Sequence, residues 1–390
     1  MTTSRAAHPS ARHPLAHRLP SFPWDMLQEA KARAAAHPEG IVDLSVGTPV
    51  DPTPESVRAA LADAANWPGY PTTIGTEQLR EAIIAFAQRH RGAGDLGPEH
   101  VLPTIGSKEL VAHLPFQLGI GPDEIVAHPH IAYPTYDMGA RLTGASPLPV
   151  DLADLARRGD AAITDIGADP AAIRLLWVNS PSNPTGEVLS REQMRQLLTW
   201  ARGHGIIVAS DECYALLPWS VSEVPSVLDP QVNDGDLRGV LCAYSLSKQS
   251  NLAGYRAAFV AGDPELIAEL VAVRKQAGMM LPGPMQAAMT VALGDDAAAR
   301  AQHEVYRARR EVLLPALRNA GGTVHGSQAG LYLWTSFGTD AMSTVSTLAE
   351  HGILVAPGMF YGVGGENSVR VALTASDERI AAAAERLRKL

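Results

Sequence analysis

The sequence predicts an α/β protein: a large, mainly parallel sheet with helices on both faces, followed by a smaller α+β domain. Three observations carry this. Short apolar runs alternate with amphipathic stretches along most of the chain, the pattern of strand–helix–strand units. Those runs are continuous and β-rich, as strands covered on both faces are. Beyond about residue 290 the texture changes to a long, charged, alanine-rich stretch with only two further β-rich runs.

Taken in order, residues 1–18 are rich in His, Arg, Ala and Pro and lack the apolar stretch of a signal peptide, so they read as a disordered extension. Their histidines, His8, His13 and His17, are irregularly spaced and predict no metal site. Residues 19–46, around Phe22–Ala36, are expected to join the small domain. Residues 47–290 form the large one. Within it Thr76–His90 reads as a helix presenting Leu79, Ile83 and Phe86 on one side. Val101–Ile105, Ile173–Asn179, Gly205–Ser210 and Val240–Tyr244 read as strands. Between the second and third of these lies a helix with clear punctuation: Ser190 and Gln193 form a capping box, Met194, Leu197, Leu198 and Ala201 share a face, and Gly203 and Gly205 end it. In residues 291–390, Asp295–Leu317 reads as helix, Gly330–Trp334 and Val369–Leu373 as strands, and Asp377–Leu390 as a closing helix.

Composition narrows the function. A net charge of −9 argues against nucleic-acid or anionic-membrane partners, which attract positive surfaces. No run approaches the roughly 20 apolar residues of a membrane span. The two cysteines, Cys213 and Cys242, sit in apolar runs without metal-ligand spacing and suggest a reducing cytoplasm.

Four features stand at the ends of apolar runs, where open α/β sheets bind ligands. Gly106-Ser107-Lys108 opens a helix after Val101–Ile105, and free amides at such a terminus attract anions. Downstream, Tyr133 could stack on a planar ring or fill a turn. Ser180-Pro181-Ser182-Asn183-Pro184-Thr185-Gly186 follows Asn179; its prolines stiffen the backbone and would hold the Asn183 amide in one direction, unless it is only a strand-to-helix turn. Asp211-Glu212-Cys213-Tyr214 follows the next strand. An aspartate there needs a partner, which a protonated ring nitrogen, a helix cap or a structural salt bridge would each supply. Ser245-Leu246-Ser247-Lys248, with Gly254-Tyr255-Arg256 beyond, places a lysine at a buried strand end. Desolvation there favours the neutral, nucleophilic amine, and two hydroxyls and an arginine could serve a phosphate. A surface lysine in a polar loop is the alternative.

In conjunction and order these motifs resemble the class I/II aminotransferases of the fold-type I pyridoxal-phosphate enzymes, over about residues 40–385. The resemblance implies a seven-stranded, mainly parallel sheet and pyridoxal 5'-phosphate as cofactor. It implies that Lys248 forms the Schiff base and shuttles the proton, and that Asp211 pairs with the pyridine nitrogen. Asn183 and Tyr214 would bond the ring hydroxyl and Tyr133 would stack on the ring. Gly106, Ser107, Lys108, Ser245, Ser247 and Arg256 would surround the phosphate. It further implies a homodimer in which Tyr70, in Gly69-Tyr70-Pro71, reaches the partner's site. Arg370, in the apolar run Val369–Leu373, would hold the substrate α-carboxylate together with Asn183 and the backbone of Gly47; its planar fork matches a carboxylate. Ala356-Pro357-Gly358-Met359-Phe360 resembles the pocket loop. Amino-acid and 2-oxo-acid substrates, glutamate and 2-oxoglutarate among them, would then react by a ping-pong scheme.

Phe22-Pro23-Trp24-Asp25, Asp43–Pro52, Gly278-Met279-Met280 and Ala372-Leu373-Thr374-Ala375 are similar to the actinobacterial N-succinyldiaminopimelate aminotransferases of lysine and diaminopimelate biosynthesis. No residue by its own chemistry demands a succinyl group. Trp24, Arg274 and Lys275 are candidates to meet a distal carboxylate, against surface or packing positions. An aspartate, aromatic or general aminotransferase, a carbon–sulfur lyase of the same fold, and a non-enzymatic amino-acid sensor are the rival expectations.

Overall fold

The computed structural model describes residues 15, 19 and 23–390; His8, His13 and His17 lie outside the described residues. Its centre is a seven-stranded sheet in the order Val101–Ile105, Ala257–Gly262, Val240–Ser245, Ile207–Asp211, Ile173–Asn179, Ile125–Pro129, Ser146–Val150. Ala257–Gly262 runs antiparallel to both neighbours; every other pair is parallel. The parallel strands therefore end on one edge, and the antiparallel strand begins there. That topology alone brings residues after Ile105, Asn179, Asp211 and Ser245 beside Arg256, which immediately precedes Ala257.

The expected strand Ile173–Asn179 forms with those bounds, and it is buried at all but Arg174. Gly205 caps the preceding helix at φ +66, so the next strand starts at Ile207 and includes Asp211. The helix Arg191–His204 has the expected capping box: Ser190 accepts from the Gln193 amide at 3.2 Å, and Gln193 accepts from the Ser190 amide at 2.9 Å. Such caps contribute about 1 kcal/mol. Thr76 caps Glu77–Arg91 by accepting from the Leu79 amide at 3.2 Å, and Leu79, Ile83 and Phe86 are buried as the spacing predicts.

Helix Gly283–Gly294 packs Ala288, Met289, Ala292 and Leu293 into the core under the large sheet, so the change of texture near residue 290 falls inside it. The next helix, Asp296–Asn319, begins at the Asp295 cap and carries Tyr306, Leu313 and Leu317 into a second core. Over that core lies an antiparallel sheet in the order Ala356–Pro357, Val369–Ala372, Tyr332–Ser336, Thr323–His325. The N-terminal segment joins this part: Val42–Asp43 pairs with Ile353–Leu354, and Ala34 of the helix Gln28–Ala35 packs on Ala349 and Leu354. Cys213 and Tyr214, just past the end of a large-sheet strand, already belong to the second core. The functional edge of the sheet thus faces the seam between two cores. Among the described residues no helix is long and apolar enough to cross a membrane.

Candidate active site

Asn179 ends its strand and builds the turn that follows. Its amide donates to the carbonyls of Pro181 (3.2 Å) and Asp211 (3.0 Å), and its own oxygen accepts from the Asn183 backbone at 2.8 Å. Both X–Pro bonds of the turn, Ser180–Pro181 and Asn183–Pro184, are cis. The Asn179 contact holds the Asn183 backbone, and the Asn183 side-chain oxygen accepts from Arg370 Nη1 at 3.1 Å.

The two adjacent acids Asp211 and Glu212 have opposite environments. Glu212 is fully paired: Arg91 lies 2.8 Å away, and Ser226 and the Val227 amide donate to it at 2.7 and 2.9 Å. Asp211 is also buried, yet among the described residues no cation stands within ion-pair distance of it. It accepts from Tyr136 Oη at 2.8 Å and from the Cys213 amide at 3.2 Å. Burial without a counter-ion pushes its carboxyl above the usual range despite those donors.

Lys248 is partly buried and donates to the Gly47 carbonyl. Burial, helped by the Arg370 and Arg256 guanidinium groups, lowers its ammonium pKa below the ordinary lysine value. Just before it, Ser245 Oγ donates to Ser247 Oγ at 2.8 Å and accepts from the Ser247 amide. Arg256 holds a left-handed φ of +54, with Nη1 donating to Ala253 at 2.8 Å and no carboxylate in reach among the described residues. Gly106 closes on this guanidinium from the other side. A Cβ at Gly106 would stand 2.5 Å from Arg256 Cζ. The helix Ser107–Gln117 starts there, so its first free amides face the same space.

Five arginines are buried among the described residues: Arg91, Arg274, Arg309, Arg370 and Arg386. Four lie within ion-pair distance of Glu212, Glu109, Asp51 and Glu39 respectively. The exception is Arg370. It donates to Asn183 and, at 2.7 Å, to the Ser45 carbonyl; its Nε has no partner; and its Cζ lies 4.0 and 4.8 Å from the ring centres of Tyr332 and Tyr361.

Of the predicted residues, Gly106, Asn183, Asp211, Tyr214, Ser245, Ser247, Lys248, Arg256, Arg370 and Gly47 come together at the seam. Ser107 joins them through the Cys213 thiol, and Tyr133 sits edge-on to Tyr136 at 5.9 Å with its phenol pushed up to about 12 by burial. Lys108 is exposed. Tyr70 is 97% exposed. Arg274 leaves the list of distal-carboxylate candidates: it is fully buried, with both Nη atoms on Glu109 at 3.0 and 2.9 Å. Lys275 is exposed, and Trp24 packs 5.4 Å from Phe360.

Sequence reasoning missed Tyr136, Tyr332 and Tyr361. Tyr332 Oη lies 3.2 Å from Tyr214 Oη, and Gly47 is the residue that lets the backbone approach this ring, since a Cβ there would come 2.8 Å from Tyr332 Cζ. Burial opposes ionisation of both phenols. For Tyr332 the Arg370 and Lys248 charges outweigh it and bring the pKa below that of a free tyrosine, whereas Tyr214 goes well above. The signal for Tyr332 was its place on the predicted strand Gly330–Trp334, opposite the Arg370 strand.

Residues 39–387 match the protein-family model described as "Aminotransferase class I and II". The chain belongs to the class I and II aminotransferases. It is 54% identical to a probable aminotransferase of Mycobacterium tuberculosis, over 98% of this chain and 89% of the relative. It is 50% identical to the 4-dedimethylamino-4-oxo-anhydrotetracycline transaminase of Streptomyces rimosus, over 95% and 99%. Among solved structures, a probable N-succinyldiaminopimelate aminotransferase from Thermus thermophilus matches with TM-score 0.82 at 30% identity, covering 94% of this chain and 100% of that one. Aminotransferases of this class use pyridoxal phosphate and act on amino acids and 2-oxo acids. The residues of this aminotransferase fit that cofactor. A buried acid without a cation, two arginines without acids and a glycine-opened helix start are the complements of a cationic ring nitrogen, a phosphate and a substrate carboxylate.

Proposed function

We propose that this aminotransferase acts on N-succinyl-LL-2,6-diaminopimelate with 2-oxoglutarate as amino acceptor, by a ping-pong scheme through Lys248. The observation that carries an α-amino acid as substrate is Arg370, the one buried arginine without a carboxylate among the described residues. Its edge, with Asn183 beside it, binds the α-carboxylate; the Gly47 backbone adds to that contact. Gly106, the Ser107 and Lys108 amides, Ser245, Ser247 and Arg256 hold the phosphate end. Asp211 keeps the ring nitrogen protonated. Asn183 and Tyr214 would bond the ring hydroxyl, and Tyr133 would stack on the ring.

When bound, pyridoxal phosphate supplies an aldehyde for imine exchange and an electron sink for the pair freed at the substrate α-carbon. The chain's part is proton work and exclusion of water. Lys248 Nζ, whose environment favours the neutral amine, takes the α-proton and returns it one carbon away. Tyr136 and the Cys213 amide orient the Asp211 carboxylate toward the ring, and the two cores keep bulk water off it. In the assembled enzyme, a homodimer in the cytoplasm, exposed Tyr70 reaches the partner's phosphate.

The succinyl-diaminopimelate assignment is supported by the resemblance of the Asp43–Pro52 and Ala372–Ala375 segments and by the Thermus structure. The 50% identity to a tetracycline transaminase favours a second reading, a polycyclic ketone as amino acceptor. One screen separates them. Purified enzyme is given N-succinyl-LL-diaminopimelate, LL-diaminopimelate, aspartate, aromatic amino acids and the oxo-anhydrotetracycline, with glutamate or 2-oxoglutarate as the second substrate. A dominant kcat/KM for the succinyl compound supports the proposal; turnover confined to the polycyclic ketone replaces it. Release of pyruvate and ammonia from cystathionine would indicate a lyase.

A further inference from the structure

Among the described residues, two buried donors of the site have no acceptor, and they belong to residues in contact. One is Arg370 Nε; the other is the hydroxyl of Tyr361. Tyr361 is 3% exposed and its ring centre lies 4.8 Å from Arg370 Cζ. Its ring also meets Trp334 edge-on at 6.0 Å, and the guanidinium it faces lies 4.0 Å from the Tyr332 ring centre, which places Tyr361 in the Arg370 cluster.

The ring is held rather than loosely packed. It ends the short helical turn Gly358–Tyr361, whose first amide donates to Ser368 at 2.7 Å and whose last carbonyl accepts from the Ala132 amide at 2.7 Å. Gly362 follows at φ +123, where a side chain would run into His130. A phenol fixed from both ends and left without an acceptor is a poor structural element, because a buried polar group normally finds a partner. It is a good recognition element: it is already desolvated and oriented for a ligand oxygen.

We propose that Tyr361 is a substrate-binding residue whose hydroxyl donates to the carboxylate that Arg370 pairs with, completing a three-donor clamp with the Arg370 edge. This rests on the reading of Arg370 as the carboxylate site. The clamp makes the enzyme selective for amines that carry an α-carboxylate. An amine without one leaves both Arg370 and Tyr361 buried and unpaired, the arrangement that discriminates most strongly against an analogue lacking a polar group.

The test uses the cofactor-loaded enzyme and succinate, a dicarboxylate without an amino group, titrated by the change in cofactor absorption. Tyr361→Phe keeps the ring and removes the oxygen. It is expected to weaken succinate by roughly tenfold or more, with the cofactor spectrum unchanged and the melting temperature no lower, since the lost hydroxyl had no protein partner. Unchanged succinate affinity overturns the proposal, as does a drop in melting temperature without ligand, which would reveal a structural bond. Arg370→Gln separates the two levels. If it weakens succinate while Tyr361→Phe does not, only the role of Tyr361 fails; if it too leaves succinate binding intact, the carboxylate reading of Arg370 fails with it.

Discussion

Gly106→Ala should cripple cofactor binding while leaving the fold largely intact. Gly106 sits at φ +80, ψ 153, a region open in practice only to glycine, and occupying it with alanine costs of order 1–3 kcal/mol. The new Cβ also lands 2.5 Å from Arg256 Cζ, so the guanidinium has to move. It is tethered by Nη1 to Ala253 at 2.8 Å and by its own left-handed backbone, and it cannot shift without leaving the cradle. Loss of one charge-assisted contact to a phosphate is worth about 1.5–3 kcal/mol, so the cofactor Kd should rise about 10- to 150-fold. Absorbance titration of the cofactor-free protein measures this directly. Gly119→Ala is the matched control: φ is +71 there, but nothing lies within 4 Å of the added Cβ. It should lose stability of roughly 1 kcal/mol without weakening the cofactor. If both variants bind cofactor like the parent, the assignment of Gly106 and Arg256 to the phosphate is wrong.

Three further outcomes follow from the same geometry. Lys248→Ala should bind cofactor without the absorption band of a lysine imine and should lose turnover; a retained band would refute the assignment. Asp211→Asn removes a buried charge that has no counter-ion among the described residues, so the cofactor-free form should melt no lower, while turnover falls roughly 10²- to 10³-fold; an early melt with normal turnover would mark Asp211 as merely structural. The lowered Lys248 pKa sets a pH dependence: the attacking form is the neutral amine, so cofactor capture should rise with pH and level off below the ordinary lysine value of 10.5. Stopped-flow capture with a midpoint at or above 10.5 would contradict the effect of burial.

Much of this was legible in the sequence because the parallel-sheet topology converts chain order into spatial order. Strand ends that carry Asn183, Asp211 and Lys248 lie on paired strands, with Asn179 opposite Asp211 and Asp211 opposite Ala243. Continuous apolar runs marked those strands, and a capping box marked the helix between two of them. The tyrosines were harder. Tyr136 lies on a helix packed beneath the sheet, Tyr332 on a strand of the other sheet, and Tyr361 in a turn; nothing local tells a core phenol from a site phenol. The fate of Arg274 was equally hidden, since its partner Glu109 lies far away in the chain. Where a side chain's meaning depends on one distant partner, spacing carries no information about it.

Asp211 and Arg370 show why pairing distinguishes structural charges from functional ones here. Removing a charge from water costs several kcal/mol, which a buried partner roughly offsets. Arg91 with Glu212 and Arg309 with Asp51, at 2.8 Å in each case, meet that condition and tie loops to helices. The Asp51 pair does so close to the chemistry. Gln302 bridges Asp51 to Asn251, and Tyr306 donates to the Lys248 carbonyl, so the segment after Gly47 and the lysine loop hang on one helix. Against that paired framework, an acid that meets only neutral donors and a guanidinium facing two phenols are burial costs the fold offsets only in part. A ligand bearing a cationic ring and a carboxylate removes both at once. Burial that the protein offsets only in part is thus completed by the ligand, and that is why Asp211 and Arg370, and not the paired Glu212 and Arg309, mark the site.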